Sequence, residues 1–88
     1  MSAVATLATA VTTPYTGTFT PTGVTTVNGS HVITVGDVFV CAHHGASTVT
    51  TGSGTTKDLN GRFMARVGSH TACGETITTG DSKMELRT

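Results

Sequence analysis

Apolar side chains along this chain come singly or in short alternating groups. No apolar run approaches the ~18 residues that a membrane-crossing helix requires. The most regular pattern occurs twice. Val27-Asn28-Gly29-Ser30-His31-Val32-Ile33-Thr34-Val35-Gly36-Asp37 superimposes without gaps on Leu59-Asn60-Gly61-Arg62-Phe63-Met64-Ala65-Arg66-Val67-Gly68-Ser69. Asn-Gly between alternating segments is the strongest short hairpin signal, because both residues tolerate positive φ. In both copies a glycine follows the Asn eight positions later, a span of about 26 Å if extended. A Cys follows that glycine by five positions, from Gly36 to Cys41 and from Gly68 to Cys73. Thr48-Val49-Thr50-Thr51-Gly52 then matches Thr76-Ile77-Thr78-Thr79-Gly80, with four more residues in the first copy between Cys and strand. A weaker third copy begins the chain, with Leu7-Ala8 in place of Val67-Gly68 and Gly17-Thr18-Phe19-Thr20 after it; it has no Cys and no His. Each unit reads as an Asn-Gly turn, a strand, a Gly-bounded Cys/His loop and a returning strand. Asn-Gly turns should therefore gather at one end of the body and the Cys/His loops at the other.

Composition supports an all-β fold. Of 88 residues, 21 are Thr, ten Val and eleven Gly, against three Leu and no Trp. Thr and Val are stiff, β-branched strand formers, and glycine supplies turns. A helical bundle is excluded. The length fits one small domain, residues 1–88, of a size that often needs a metal, a disulfide or a partner chain.

Charge narrows the function. Five basic residues balance five acidic ones, and only 11% of the chain is charged. No basic patch for nucleic acid is expected. From Met1 to Thr56 the only charged residue is Asp37. So uncharged a surface is poorly protected against edge association, which suggests that it is shared with a partner or that its edges are closed. The N-terminal stretch lacks Lys and Arg, which argues against a signal peptide.

The candidate chemistry is metal binding. Zinc takes four tetrahedral ligands from Cys and His at short spacings. Cys41-x-x-His44 and His70-x-x-Cys73 have such spacings and sit in registered loops, and His43 competes for one place. Two chelating pairs would close a structural site for zinc or iron, with no open position for hydrolysis. The alternatives are a Cys41–Cys73 disulfide, or buried thiols with solvated histidines. His31 aligns with Phe63 and reads as a strand residue away from the site. Asp37 and Ser69, each beside a turn glycine, are expected to bond local backbone N–H groups. Arg66 reads as a structural residue contacting backbone carbonyls or an acidic partner.

These residues resemble the PAAR-repeat family, whose typical unit reads Asn-Gly-x-Pro-Ala-Ala-Arg-Val-Gly-Asp followed by a Cys/His loop. Asn60 to Ser69 matches it with Phe63-Met64 in place of Pro-Ala; Val35-Gly36-Asp37, His44-Gly45 and Thr71-Ala72-Cys73-Gly74 fit as well. The resemblance covers roughly residues 3–87. It implies a small cone of pseudo-threefold β-hairpin repeats with a metal at the apex, usually zinc held by three His and one Cys. That pattern favours His43, His44, His70 and Cys73, with Cys41 as the competing ligand. The first loop, Thr12 to Gly17, departs from the family by offering no His. The resemblance further implies a non-enzymatic, membrane-piercing tip whose base docks on a trimeric β-helical spike. Such tips belong to a phage tail, a pyocin or a type VI secretion system. They are assembled in the bacterial cytoplasm, delivered outside the producing cell and brought briefly against the target envelope. The chain ends just past its last strand, so effector cargo is expected to bind separately. Competing functions are a free-standing zinc-binding adaptor and a small Cys/His hydrolase, with Cys41 or Cys73 as nucleophile and His44 or His70 as base. For the hydrolase, so few aromatics offer little pocket wall.

Overall fold

The computed structural model describes residues 2–13, 17–42, 45–53 and 56–86. Among them are nine short strands and no helix: β1 (Ser2–Val4), β2 (Thr12–Thr13), β3 (Gly17–Thr20), β4 (Thr26–Val27), β5 (Ser30–His31), β6 (Val38–Cys41), β7 (Gly45–Thr48), β8 (Thr76–Ile77) and β9 (Asp81–Leu86). They pair antiparallel as β1-β9, β2-β8, β3-β6-β7 and β4-β5. The all-β expectation holds, and the principal extents are 29 × 24 × 21 Å.

The organising element is a closed ring built from the three repeats. Residues 3–9, 31–37 and 63–69 run side by side in cyclic order. They touch through single bridges, Thr6 with Val32, Thr34 with Met64, and Val4 with Arg66. Equivalent backbone groups close the circle. Ile33 N–H donates to Ala5 O at 2.9 Å, Ala65 N–H to Ile33 O at 2.7 Å, and Ala5 N–H to Ala65 O at 2.9 Å. Two residues on, Leu7, Val35 and Val67 donate to His31, Phe63 and Ala3 at 3.0, 2.9 and 3.0 Å. The weak third copy in the sequence is thus a full member of the ring.

Neighbouring residues of an extended segment point opposite ways, so the ring divides the interior in two. On one side Val4, Val32 and Met64 pack with Leu86, and Val27 and Met84 lean against them. On the other, Ala5, Ile33 and Ala65 pack with Phe19, Phe39, Cys41, Val49 and Ile77. Val27 adjoins the Asn28-Gly29 turn, so that turn and the cysteines belong to opposite sides, as the repeat suggested. Phe19 and Phe39 face each other across β3 and β6 with ring centroids 4.6 Å apart. The inward alternation of β6 continues from Phe39 to Cys41, while Val38 and Val40 face out.

Each ring segment ends in a turn. Thr9, Asp37 and Ser69 donate their N–H to Thr6, Thr34 and Arg66 at 3.2, 3.1 and 2.9 Å. Gly36 and Gly68 hold the left-handed position, with φ of 95° and 97°. The first copy has Ala8 there, and its turn adds an Ala10 N–H to Thr6 O bond at 2.9 Å. As expected, Asp37 accepts from Thr34 N–H at 2.8 Å and Ser69 Oγ from Arg66 N–H at 2.9 Å. Asp37, almost wholly buried, also accepts from the Thr22 backbone and hydroxyl and lies 3.6 Å from Arg62 Nη1. Arg66 Nη1 donates to Val67 O at 2.9 Å, the carbonyl contact anticipated for it. His31 lies in β5, exposed, with Nδ1 3.0 Å from Gly23 O.

The two Asn-Gly pairs fold differently. Asn28 and Gly29 both have positive φ, 52° and 78°, and make a two-residue hairpin turn between β4 and β5. At the second pair only Gly61 is left-handed, and the turn spans Asp58 to Arg62, closed by Asp58 N–H to Arg62 O at 2.8 Å. The Asp58 carboxylate accounts for the difference. It accepts from Val24 N–H at 2.7 Å, Thr25 N–H at 2.9 Å and Asn60 N–H at 3.2 Å, tying this turn to the segment before β4.

Candidate metal centre

Tertiary pairing brings Cys41 and Cys73 together from loops 32 positions apart. Cys41 ends β6 and lies opposite Gly45, the first residue of β7. The outer edge of β7 receives the loop that carries Cys73. Ala72 N–H donates to Thr48 O at 2.8 Å and Cys73 N–H to Ser47 Oγ at 3.0 Å. That loop is a compact turn, closed by Thr71 N–H to Glu75 O at 2.9 Å and Gly74 N–H to Thr71 O at 3.0 Å. Closing the turn swings Glu75 inward.

The result is a cluster of two sulfurs and a carboxylate. Cys41 Sγ, Cys73 Sγ and a carboxylate oxygen of Glu75 all lie within 4.8 Å of one another. Cys41 and Glu75 are 2% and 1% exposed, and Cys73 is half-buried. Neither cysteine is in a disulfide. Burial alone would raise the Cys73 thiol. Hydrogen bonds from the Thr71 and Ser47 hydroxyls, the Glu75 N–H and the Cys41 thiol outweigh it and move the thiol below its ordinary range, toward the thiolate that binds metal. The Thr71 hydroxyl lies 3.1 Å from Cys73 Sγ.

Of the five side chains anticipated as ligands, the structure gathers Cys41 and Cys73. His43 and His44 lie outside the described residues. His70 is exposed; its backbone bridges Thr76 and its N–H donates to Thr51 Oγ1 at 2.8 Å. Its side chain is not among the three that converge. Glu75 was not anticipated. The signal available was a single acid two positions after Cys73, in a region where charge is scarce. The donor set suits a thiophilic divalent ion: zinc accepts both cysteine sulfur and carboxylate oxygen as ligands.

A family model described as the PAAR motif matches residues 9–79. No curated protein and no solved structure matches the chain.

Proposed function

The chain belongs to the PAAR motif family, and on that premise we propose that it is a structural, non-catalytic point seated on the trimeric β-helical spike of a contractile injection machine. The observation that carries this reading is the closed ring of Ala5, Ile33 and Ala65. A trimeric spike ends in threefold symmetry, whereas a single point can be made by one chain. Three sequence repeats closed into a ring offer one chain a nearly threefold face. The scarcity of charge before Lys57 accords with a face covered on docking. The point pierces the target envelope ahead of the spike.

In this reading Cys41, Cys73 and Glu75 hold a metal, zinc or iron, and an imidazole of His43, His44 or His70 fills the fourth place. Bound there, the ion would cross-link the β6–β7 hairpin to the 71–75 turn and add on the order of 10 kcal/mol to the folded state. The protein's own part is to present the donors together. The turn and its hydrogen bonds to Ser47 and Thr48 hold Cys73 against Cys41 before any ion arrives. A four-ligand shell leaves no open position for a reacting water.

The test is stoichiometry on a spike. The chain is mixed with a purified trimeric β-helical spike of a contractile injection system and the complex is weighed by light scattering. One copy per trimer is expected. Three copies per trimer, or no complex with any such spike, would remove the reading.

A further inference from the structure

The two cysteines differ in a way that a metal clamp does not require. Cys41 is almost wholly buried. Cys73 lines an open groove of about 420 Å³ beside Val38, Ala46, Ser47, Thr48 and Ala72. A small molecule in the groove therefore meets Cys73 and not Cys41. The Cys41 and Cys73 sulfurs lie within 4.8 Å of each other.

We propose that Cys73 is a modification site for low-molecular-weight disulfides and that Cys41 is its resolving thiol, so that the pair closes to an intramolecular disulfide in an oxidising compartment. This goes beyond the spike-tip reading and does not depend on it.

The geometry supplies each step. Cys73 sulfur attacks one sulfur of a small disulfide, forming a mixed disulfide and releasing one small thiolate. Thr71 Oγ1, 3.1 Å from that sulfur, is placed to hydrogen-bond it as it approaches. Cys41 sulfur then attacks Cys73 sulfur, forming the internal bond and releasing the second small thiolate. The two protons lost by the cysteines end on the two released thiols. The chain loses two hydrogens and the small disulfide is reduced to two thiols, so atoms and electrons balance.

Bond formation needs the sulfurs to close to about 2.05 Å. The turn bearing Cys73 is attached to β7 by the bonds from Ala72 and Cys73. The turn takes no part in the ring hydrogen bonds of Ala5, Ile33 and Ala65, and Cys73 packs against the cluster that contains these side chains and Cys41. Metal and disulfide compete for the same two sulfurs. A chain made in a reducing compartment keeps the thiols available.

The experiment uses the reduced full-length chain in the presence of a chelator, treated with oxidised glutathione. Intact mass should show the loss of two hydrogens with no retained glutathione, and peptide mapping should join Cys41 to Cys73. Cys41→Ser should stop at a glutathione adduct on Cys73. Cys73→Ser should react at least about tenfold more slowly, because its remaining thiol is buried. A stable adduct on the wild-type chain, a first adduct on Cys41, disulfide-linked dimers, or no reaction would each overturn the proposal. The wild-type arm decides the cross-link by itself, so a variant that fails to fold leaves the test standing.

Discussion

Gly80 lies so close to Val4 that a methyl group on its Cα would come within 2.6 Å of the Val4 carbonyl oxygen. The same relationship recurs around the ring. A methyl on Gly52 would meet Met64 O at 2.8 Å, and one on Gly23 would collide with Val32 O. Val4, Val32 and Met64 are equivalent ring residues, so the connecting segments at Gly23, Gly52 and Gly80 pass the ring through a glycine because no side chain fits. Gly80→Ala and Gly52→Ala should each destabilise the fold by about 2–3 kcal/mol through overpacking against backbone. Gly29→Ala meets nothing within 4 Å, and its φ of 78° leaves only conformational strain; its cost should be about 1 kcal/mol. Urea titrations of the three variants give the ranking, and equal losses at all three positions would contradict the close-approach account.

Phe39 should be the most costly side chain to truncate. It is fully buried beside Phe19 and Ile33 in the cluster that also contains Cys41. Phe39→Ala should cost about 3–5 kcal/mol. Val40→Ala on the same strand, with its side chain on the exposed face, should cost well under half as much. Chemical denaturation of both variants checks the alternation of β6.

What the sequence revealed followed the strength of local chemistry. Gly36 and Gly68 were legible as turn residues because a left-handed position selects glycine, and the two best repeats could be aligned on them. The first copy was faint because Ala8 stands at that position and its turn closes with an extra bond from Ala10. The two Asn-Gly pairs read alike but fold differently, since Asp58 acts through Val24 and Thr25, more than thirty residues away. At the candidate metal centre the Cys positions were readable from the repeat. His70-x-x-Cys73 was a matter of spacing alone, and spacing does not fix which way a side chain points from a bridged backbone. Glu75 was hidden because its neighbours are set by docking of the 71–75 turn on β7, a contact no local pattern carries.

Asp58 gives the fold an acid-sensitive tie. Burial by itself would raise its carboxyl, but the Thr25 hydroxyl and the N–H groups of Val24, Thr25 and Asn60 hold it at about 2, below the ordinary 3.8. The folded chain therefore binds fewer protons at this site than the unfolded chain. The associated stability is complete above about pH 5 and is lost as pH falls through 4 toward 2, amounting to about 1–2 kcal/mol. Asp58→Asn cannot ionise, so it should be less stable than wild type at pH 7. Denaturation midpoints measured from pH 6 to pH 2 should show that gap narrowing with acid. A constant gap would mean that the charge on Asp58 contributes nothing.

Metal removal tests the cluster of Cys41, Cys73 and Glu75 directly. Elemental analysis of the purified chain should find one equivalent of zinc or iron, lost in Cys73→Ala and in Cys41→Ala. Glu75→Gln keeps the shape of the side chain but replaces an anionic donor by a neutral one, and should weaken metal binding by about 10–100-fold. Because the ion would tie two loops that otherwise meet through a few hydrogen bonds, chelation should lower the melting temperature of the wild type by at least about 10 °C. The same chelator should leave Cys73→Ala unmoved. His70→Ala separates the candidates for the fourth position: unchanged metal content would assign that place to His43 or His44, and a parallel loss would assign it to His70. A wild-type chain that carries no metal and melts at the same temperature with and without chelator would show that the three side chains meet without gripping an ion.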